Sequence, residues 1–513
     1  MVQATRQQSD AIEAAAKLDP GKAMKIIAYA GAGKTFTLQG IAKARRDRGI
    51  YLAFNKVIAE EARRKLASTK CGAKTIHAIA YRVVIDVTGE PIKFRANDVV
   101  KSRVIEAVRR PDLREWTEQR CAIAALRTVS TFCNSADPNM DVAHAEQALR
   151  AMVGDPDFLN TKAAIQRAQA AIEFMTEPVL AMAEAWWAHC MRERICNHDM
   201  YLKVLDVNPN FRNAAFGSFD YVLCDEAQDL NPVQRSILTK TGLPIIAVGD
   251  SYQSIYAWRG AEDALNEMSG EAHYLTQSFR FGENIASIAR DILDGRPDAT
   301  PEHPLEGIGP MGDYPNQKSR KAIICRTNIG VINEALECAR LNQKFRIENI
   351  DTVFSDLESA LALKNRRQSA IKNSEFQHYE SWDEFKAEAE AGTDQSMMQL
   401  VRLIEDNRVQ DVKALSKANT NRETPDTVNL TTIHKSKGSE WETVRMGDDC
   451  RTHEDMLERY AVAQTKSKRH IRQAIEEFNA TYVGVTRAIR DLENHERLMP
   501  QGPARAPTKA AAQ

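Results

Sequence analysis

A short apolar run, KIIAYA at Lys25–Ala30, passes into AYAGAGKT (Ala28–Thr35), where Gly31 and Gly33 lead into Lys34, Thr35 and a helical pattern. A buried strand, a glycine loop and a helix in that order open an α/β domain. Small residues there let backbone N–H groups close around a polyphosphate at the helix N-terminus; Lys34 adds a point charge, and the Thr35 hydroxyl can hold Mg²⁺. Ala28 occupies the first position of the strict pattern in place of glycine, and a glycine turn that merely caps a helix would share the spacing. The strand before and the GKT after favour a phosphate loop made of Ala28, Tyr29, Ala30, Gly31, Ala32, Gly33, Lys34 and Thr35.

The alternation continues along the chain. Ile50–Phe54, Tyr221–Cys224 and Pro244–Val248 read as further strands of a parallel sheet, the last two each followed by acidic residues. From about Pro91 to Asn210 the chain is rich in Ala, Arg, Glu and Gln, and Ile165, Ala168, Ile172 and Met175 recur at helical spacing, which predicts a helical insertion. Trp186 and Trp187 read as its core rather than as a stacking platform. Ala322–Cys325 and Val428–Ile433 predict a second sheet, interrupted by a polar, charge-rich stretch. The basic run in that stretch, Lys364, Arg366, Arg367 and Lys372, reads as a solvated face, with DNA contact as the alternative. The expected division is 1–90 and 201–274 for the first α/β domain, with 91–200 as its insertion. The second domain takes 275–353 and 426–499 with 354–425 inserted, and a disordered tail covers 500–513.

At 513 residues the chain is too long for one small module. Its 69 Lys and Arg nearly balance 70 Asp and Glu, so any polyanion must be held by local basic patches and oriented amides. The nine cysteines form no CxxC pair, which suits a reducing compartment. Cys190, Cys196 and His198 lack a fourth ligand and the spacing for zinc, and the two cysteines read as buried thiols on a helix. No signal-peptide pattern opens the sequence and no run approaches about 18 apolar residues, so neither export nor membrane spanning is expected, and the cytoplasm is the expected location.

Asp225 and Glu226 stand where the YVLC strand ends, at the sheet edge that binds ligands in α/β folds. Asp225 would hold Mg²⁺ and Glu226 would polarise the water attacking a γ phosphate. In GDSYQSIYAWRGA (Gly249–Ala261), Gln253 is placed to sense that phosphate, and Tyr256, Trp258 and Arg259 supply faces on which unpaired bases stack; buried aromatics of an ordinary loop are the alternative. Arg280 in LTQSFRFG and Arg487 in YVGVTRA lie outside the first α/β unit, so they are expected to reach the γ phosphate across a cleft and to couple hydrolysis to domain movement.

The order of these segments resembles the UvrD/Rep/PcrA class of superfamily 1 helicases. Gln8 looks like the adenine-reading glutamine; FNK at Phe54–Lys56 and TIHAIAYR at Thr75–Arg82 look like early DNA-contacting motifs; TTIHKSKGSEW (Thr431–Trp441) and YVGVTRA (Tyr482–Ala488) follow in family order. AYAGAGKT, LAFNK, TIHAIAY, HDMYLKV and LTQSFRFGENIA are most similar to the helicase portion of F-box DNA helicases and their bacterial and phage relatives. The resemblance implies two tandem RecA-like domains, each with a mainly helical insertion, ATP and Mg²⁺ as cofactors, and 3′ to 5′ movement on single-stranded DNA and at its junctions with duplex. It implies that Phe279 stacks on adenine and Glu440 contacts the nucleotide. It also places Asn55, Lys56, Thr75, His77, Tyr256, Trp258, Arg259, Thr432 and His434 on DNA or between DNA and ATP. Two departures stand out: Ser439 replaces the Leu of KGLEW, and RDLENHERL after the last motif is much more polar than the family's strand, which leaves the edge of the second sheet open.

An ATP-driven helicase acting in replication, recombination or repair is the leading expectation. It would be a monomer or weak dimer, associated with the nucleoid, or nuclear in a eukaryotic source. The short second insertion keeps a second version open, a translocase that strips a recombinase or a single-strand-binding protein from DNA and unwinds weakly. A small-molecule kinase would share the phosphate loop but has no use for the aromatic segment or a second α/β domain, and a non-enzymatic DNA-binding module would leave the catalytic set idle.

Overall fold

Burial along each strand sets its place in the sheet. β1 (Ala23–Ala28) alternates half-buried and buried positions, whereas β2 (Gly49–Ala53) is buried throughout. β3 (Gly72–Thr75) is the sequence GAKT and is partly exposed. A small parallel ladder joins β4 (Lys93–Phe94) to β5 (Ile195–Cys196). β6 (Tyr221–Cys224) and β7 (Ile245–Gly249) are again wholly buried, and β8 (Glu271–Leu275) is mostly half-buried. Strands apolar on both faces belong inside a parallel sheet covered by helices, and polar strands belong at its margins. The observed order, β3-β2-β6-β7-β1-β8, is all parallel and puts GAKT and EAHYL at the two edges.

The computed structural model describes residues 3–88, 93–94, 116–157, 162–255, 264–298, 301–310, 319–348, 350–372, 376, 379, 381–391, 395–406, 409–466 and 468–500. Tyr256, Trp258, Arg259 and the tail beyond residue 500 lie outside them. Two units are resolved: Met1–Ala28, Gly33–Leu275 and Asn349–Val409 make the first, and Tyr29–Ala32, Thr276–Glu348 and Gln410–Gln513 the second. No helix among the described residues is long and apolar enough to cross a membrane.

Within the first unit, helices Glu118–Asn134, Val142–Val153 and Lys162–Glu193 pack together. Ala168, Ile172 and Met175 are buried as their spacing predicts, and Ile165 is half-buried. Trp186 is buried in the same cluster as Phe132, Leu149 and Met182, with Trp187 packed against it, so the pair is core. Cys190 and Cys196 are buried too, and burial pushes their thiols up to about 12 and about 11; Cys190 sits on the long helix, while Cys196 is in β5.

Helix His198–Val207 carries a fully buried Lys203 that donates to the carbonyls of Ser135 and Asp137 and lies 4.3 Å over the Phe132 ring. Asp206, one turn on, accepts from Ser236 Oγ and Lys240 Nζ, each at 2.7 Å, which ties this helix to the end of helix Pro232–Thr239 behind the DEAQD segment.

In the basic run, Lys364 pairs with Glu405 at 3.2 Å and Lys372 with Glu358 at 2.7 Å. Such exposed pairs are worth about 0–1 kcal/mol.

The second unit repeats the logic. A two-residue ladder joins β9 (Gln277–Ser278) to β10 (Glu306–Gly307). Its main sheet is β11 (Lys321–Cys325), β12 (Phe345–Ile347), β13 (Val428–Thr432), β14 (Trp441–Met446) and β15 (Ala488–Glu493), ordered β12-β13-β11-β14-β15 and all parallel. β15 resolves the open edge: Ala488 and Ile489 are buried while Arg490 and Asp491 are exposed. RDLENHERL is polar because only its first residues lie in an edge strand, with one face in water.

Candidate nucleotide site

β1 ends at Ala28, whose methyl is fully buried, so the residue in place of the first motif glycine serves the strand and leaves the loop to follow. Gly31 and Gly33 adopt φ of 76° and 79°, the left-handed region that glycine enters without cost. Gly33 is the N-cap of helix Lys34–Ala44 and no side chain caps it, which leaves first-turn N–H groups for an anion, with Thr35 half-buried among them.

Tyr29–Ala32 are grouped with the second unit, where Tyr29 Oη donates to the His303 carbonyl at 2.5 Å, the Ala30 N–H to Tyr482 Oη at 3.2 Å, and the Phe279 N–H to the Gly31 carbonyl at 3.0 Å. A Cβ at Gly31 would lie 2.5 Å from Ser278 Oγ and 2.6 Å from Arg280 Cβ. Backbone strain of about 1–3 kcal/mol at such a position makes Gly31→Val weaken nucleotide binding about tenfold or more. Titration with a fluorescent ATP analogue checks this, and unchanged affinity would refute it.

In the first unit, Lys34 Nζ lies 3.4 Å from Glu226 Oε1. Burial opposes the Lys34 ammonium, but the carboxylates of Glu226, Asp250 and Asp225 outweigh it and raise its pKa. Asp225 is buried; its Oδ2 accepts from the Tyr51 hydroxyl and its Oδ1 from the Glu226 N–H at 3.0 Å. Burial first, then the charge of Glu226, pushes Asp225 up to about 6. Tyr51 itself is driven well above its ordinary value by burial and then by Asp225, so it remains a donor.

Glu226 has φ 50° and ψ 44°, a conformation that costs a non-glycine residue about 1 kcal/mol or more. Its carboxylate is held from behind: Gln228 Nε2 donates to Glu226 Oε2 at 2.6 Å, and Gln228 Oε1 accepts from the Asp250 N–H at 3.1 Å. Asp250 Oδ2 accepts from Gln253 Nε2 at 2.8 Å, and Gln253 is buried in the short turn Ser251–Gln253. Lys34, Asp225, Glu226 and Gln253 are therefore linked in one network. Tyr51, Gln228 and Asp250 are members that motif reading passed over. A tyrosine in the otherwise apolar strand GIYLA was the available signal for the first of them.

Gln8 is buried on helix Arg6–Ala16 and forms a capping box with Thr5: the Thr5 N–H donates to Gln8 Oε1 at 3.0 Å and the Gln8 N–H to Thr5 Oγ1 at 3.2 Å.

In the second unit, Arg280 Nε donates to Glu440 Oε2 at 2.7 Å and Nη1 to the Thr486 carbonyl at 3.0 Å. Arg487 is 2% exposed, and its guanidinium donates to the Val483 and Ser439 carbonyls and to Thr486 Oγ1. Thr432 caps the short helix Ile433–Ser436, on which His434 is half-buried.

Of the residues expected on DNA, Asn55 accepts from the Ile58 N–H at 2.9 Å and starts helix Lys56–Lys65, with Phe54, Asn55 and Lys56 exposed. Thr75 Oγ1 accepts from the Ala78 N–H at 3.1 Å. His77 meets His198 and Tyr201 edge-on, with ring centroids 6.4 and 6.1 Å apart, and Tyr81 lies 5.9 Å from Tyr201. Burial, reinforced by His198, lowers the His77 pKa against the pull of Asp199.

Comparison with known proteins finds two family models that match this chain. Residues 6–271 match the UvrD/REP helicase N-terminal domain and residues 198–493 the UvrD-like helicase C-terminal domain. F-box DNA helicase protein 1 of Schizosaccharomyces pombe is 26% identical, over 93% of this chain and 56% of its own length. F-box DNA helicase 1 of Gallus gallus is 24% identical, over 92% of this chain and 47% of its own. The ATP-dependent DNA helicase PcrA of Leuconostoc citreum is 24% identical over 54% of this chain and 38% of its own. The chain spans about half the length of the F-box relatives. With both domain families matched in tandem on two parallel α/β sheets, the chain belongs to the UvrD/Rep helicase family.

Proposed function

We propose that this protein hydrolyses ATP and uses the energy to move 3′ to 5′ along single-stranded DNA, opening duplex in its path. The observation that carries the reading is the network of Lys34, Asp225, Glu226 and Gln253 beside an uncapped helix N-terminus. Helix N–H groups and Lys34 hold the β and γ phosphates, and Glu226 orients the attacking water and takes its proton. Thr35 and Asp225 offer oxygen donors only, which suits Mg²⁺. When bound, the ion neutralises charge on the phosphates. Gln253 contacts the γ phosphate, Arg280 and Arg487 stabilise the charge that develops on it, and Gln8, Phe279 and Glu440 select the nucleotide.

Asn55, Lys56, Thr75, His77, Thr432 and His434 contact the strand, together with Tyr256, Trp258 and Arg259. The expected partners are single-stranded DNA and its junctions with duplex, for a protein working as a monomer or weak dimer in the cytoplasm or nucleus. An ATPase titration with single-stranded DNA, duplex DNA and RNA tests the reading, paired with unwinding of substrates carrying 3′ or 5′ overhangs. Stimulation by single strands and unwinding from the 3′ overhang are expected; hydrolysis indifferent to single-stranded DNA would overturn it.

The short span expected for the second insertion, 354–425, favours a second reading in which the motor removes a recombinase or a single-strand-binding protein from DNA and unwinds weakly. Efficient unwinding of long bare duplex counts against it.

A further inference from the structure

Glu226 is the residue proposed to activate water, and it sits on a left-handed backbone at the start of a short turn, a poor anchor for a flexible side chain. Its precision has to come from what it touches. Gln228, two residues on, is fully buried, and both ends of its amide are engaged: Nε2 donates to Glu226 Oε2 at 2.6 Å, and Oε1 accepts from the Asp250 N–H at 3.1 Å. Asp250 in turn accepts from the Gln253 amide and caps the turn carrying it, with the Tyr252 N–H 3.1 Å from Asp250 Oδ1.

The β7 backbone is shaped around the same amide. A Cβ on Gly249 would lie 2.1 Å from Gln228 Oε1 and 2.9 Å from Leu265 Cδ1, so the strand ends in glycine where the amide passes.

We infer that Gln228 is a positioning residue that fixes the Glu226 carboxylate to the Asp250–Gln253 turn, so that the water-activating group and the phosphate-contacting amide hold one fixed spacing. An amide is suited to this task, because one group must donate to a carboxylate while accepting from a backbone N–H. A carboxylate in its place could not donate when ionised, and an apolar side chain could do neither. The inference rests on the assignment of Glu226 as the base.

The test uses the full chain and steady-state hydrolysis of ATP with saturating oligo-dT. Gln228→Met keeps the length of the side chain and removes both hydrogen bonds; Gly249→Ala retains the Gln228 side chain but crowds its Oε1. Loss of a supporting partner of this kind typically costs about 10–100-fold in activity. Gln228→Met is expected to lower kcat by that range while KM for ATP and affinity for a fluorescent ATP analogue stay within about threefold. Gly249→Ala is expected to lower kcat in the same way.

A purely structural role would lower the melting temperature and leave kcat per folded molecule unchanged. That result, or kcat within about twofold of the unaltered chain in both variants, overturns the inference. If Gln228→Met does not fold, Gly249→Ala decides alone. Glu226→Gln in the same assay separates this failure from that of the parent reading. Normal turnover by Glu226→Gln, or no response of the unaltered chain to oligo-dT, rejects the assignment of Glu226. A silent Glu226→Gln beside a fully active Gln228→Met rejects only the role of Gln228.

Discussion

Glu226→Gln is expected to bind ATP and fail to hydrolyse it, with kcat lower by about 10²–10⁴, the usual contribution of a positioned general base. The substitution keeps the length of the side chain, and an amide oxygen can still accept from Gln228 Nε2. What disappears is the charge that attracts a proton from water. Lys34 loses its partner at 3.4 Å and Asp225 loses a like charge that helps push it up to about 6. Relief of that repulsion, at a site already strained at Glu226, should leave the melting temperature unchanged or raise it, as is common where activity and stability compete. Lys34→Ala should instead lose affinity along with turnover, because it removes the cation that meets the phosphates. Single-turnover hydrolysis and equilibrium nucleotide binding, measured on the same preparations, check both; substantial hydrolysis by Glu226→Gln would reject the assigned base.

Glu477→Gln is expected to cost the second unit about 1.5–3 kcal/mol at neutral pH, because it breaks charge-assisted hydrogen bonds in a half-buried ionic cluster from one side. Glu477 lies on helix Lys468–Val485 with its side chain 14% exposed and accepts from Arg326 Nε at 2.9 Å and Nη2 at 2.6 Å, with Arg451 Nε 3.4 Å away. The substitution leaves two guanidinium groups facing a neutral amide. Burial alone would raise the Glu477 pKa; hydrogen bonds and charge from Arg326, then the charge of Arg451, outweigh it and hold the carboxyl below its ordinary value. A carboxyl lowered on folding stabilises the native state above its unfolded pKa, near 4.3 for a free glutamate side chain, roughly. That stabilisation fades as pH falls through the lower folded value. The difference between the unaltered chain and Glu477→Gln should therefore be full at pH 7 and shrink in acid below that range. Hydrogen exchange of β11 and β13 amides at both pH values reads this locally, and equal protection at pH 7 would sink the claim.

What could be read in advance follows from geometry. β2, β6 and β7 are buried on both faces, so they are continuous apolar runs in the sequence, and Asp225 and Glu226 stand at the end of one of them; Lys34 and Thr35 follow β1, which alternates in burial and is marked by the glycines after it. β3, β8 and β12 were not legible: the first two are edge strands with polar faces, and the third has three residues. Tyr51 reaches Asp225 because β2 lies beside β6, a neighbour relation between residues far apart in the chain that periodicity does not encode. Lys203 would be placed in solvent by its type, yet carbonyls from an earlier loop take it inside. The surroundings of Arg487, the Val483 carbonyl at the end of the preceding helix and the Ser439 carbonyl beyond it, are recorded in no motif.

The strand order has a consequence for synthesis. β1 is made before both of its neighbours, β7 and β8, which come from residues 245–249 and 271–275. At roughly 5–20 residues per second, the nascent chain therefore carries β1 without either partner for roughly 10–50 s while the helical insertion emerges from the ribosome. During that interval Met24 and Ile26 have no sheet to enter, so a chaperone that shields apolar segments, or early folding of the insertion as a block, would govern how much of the polypeptide reaches its native state.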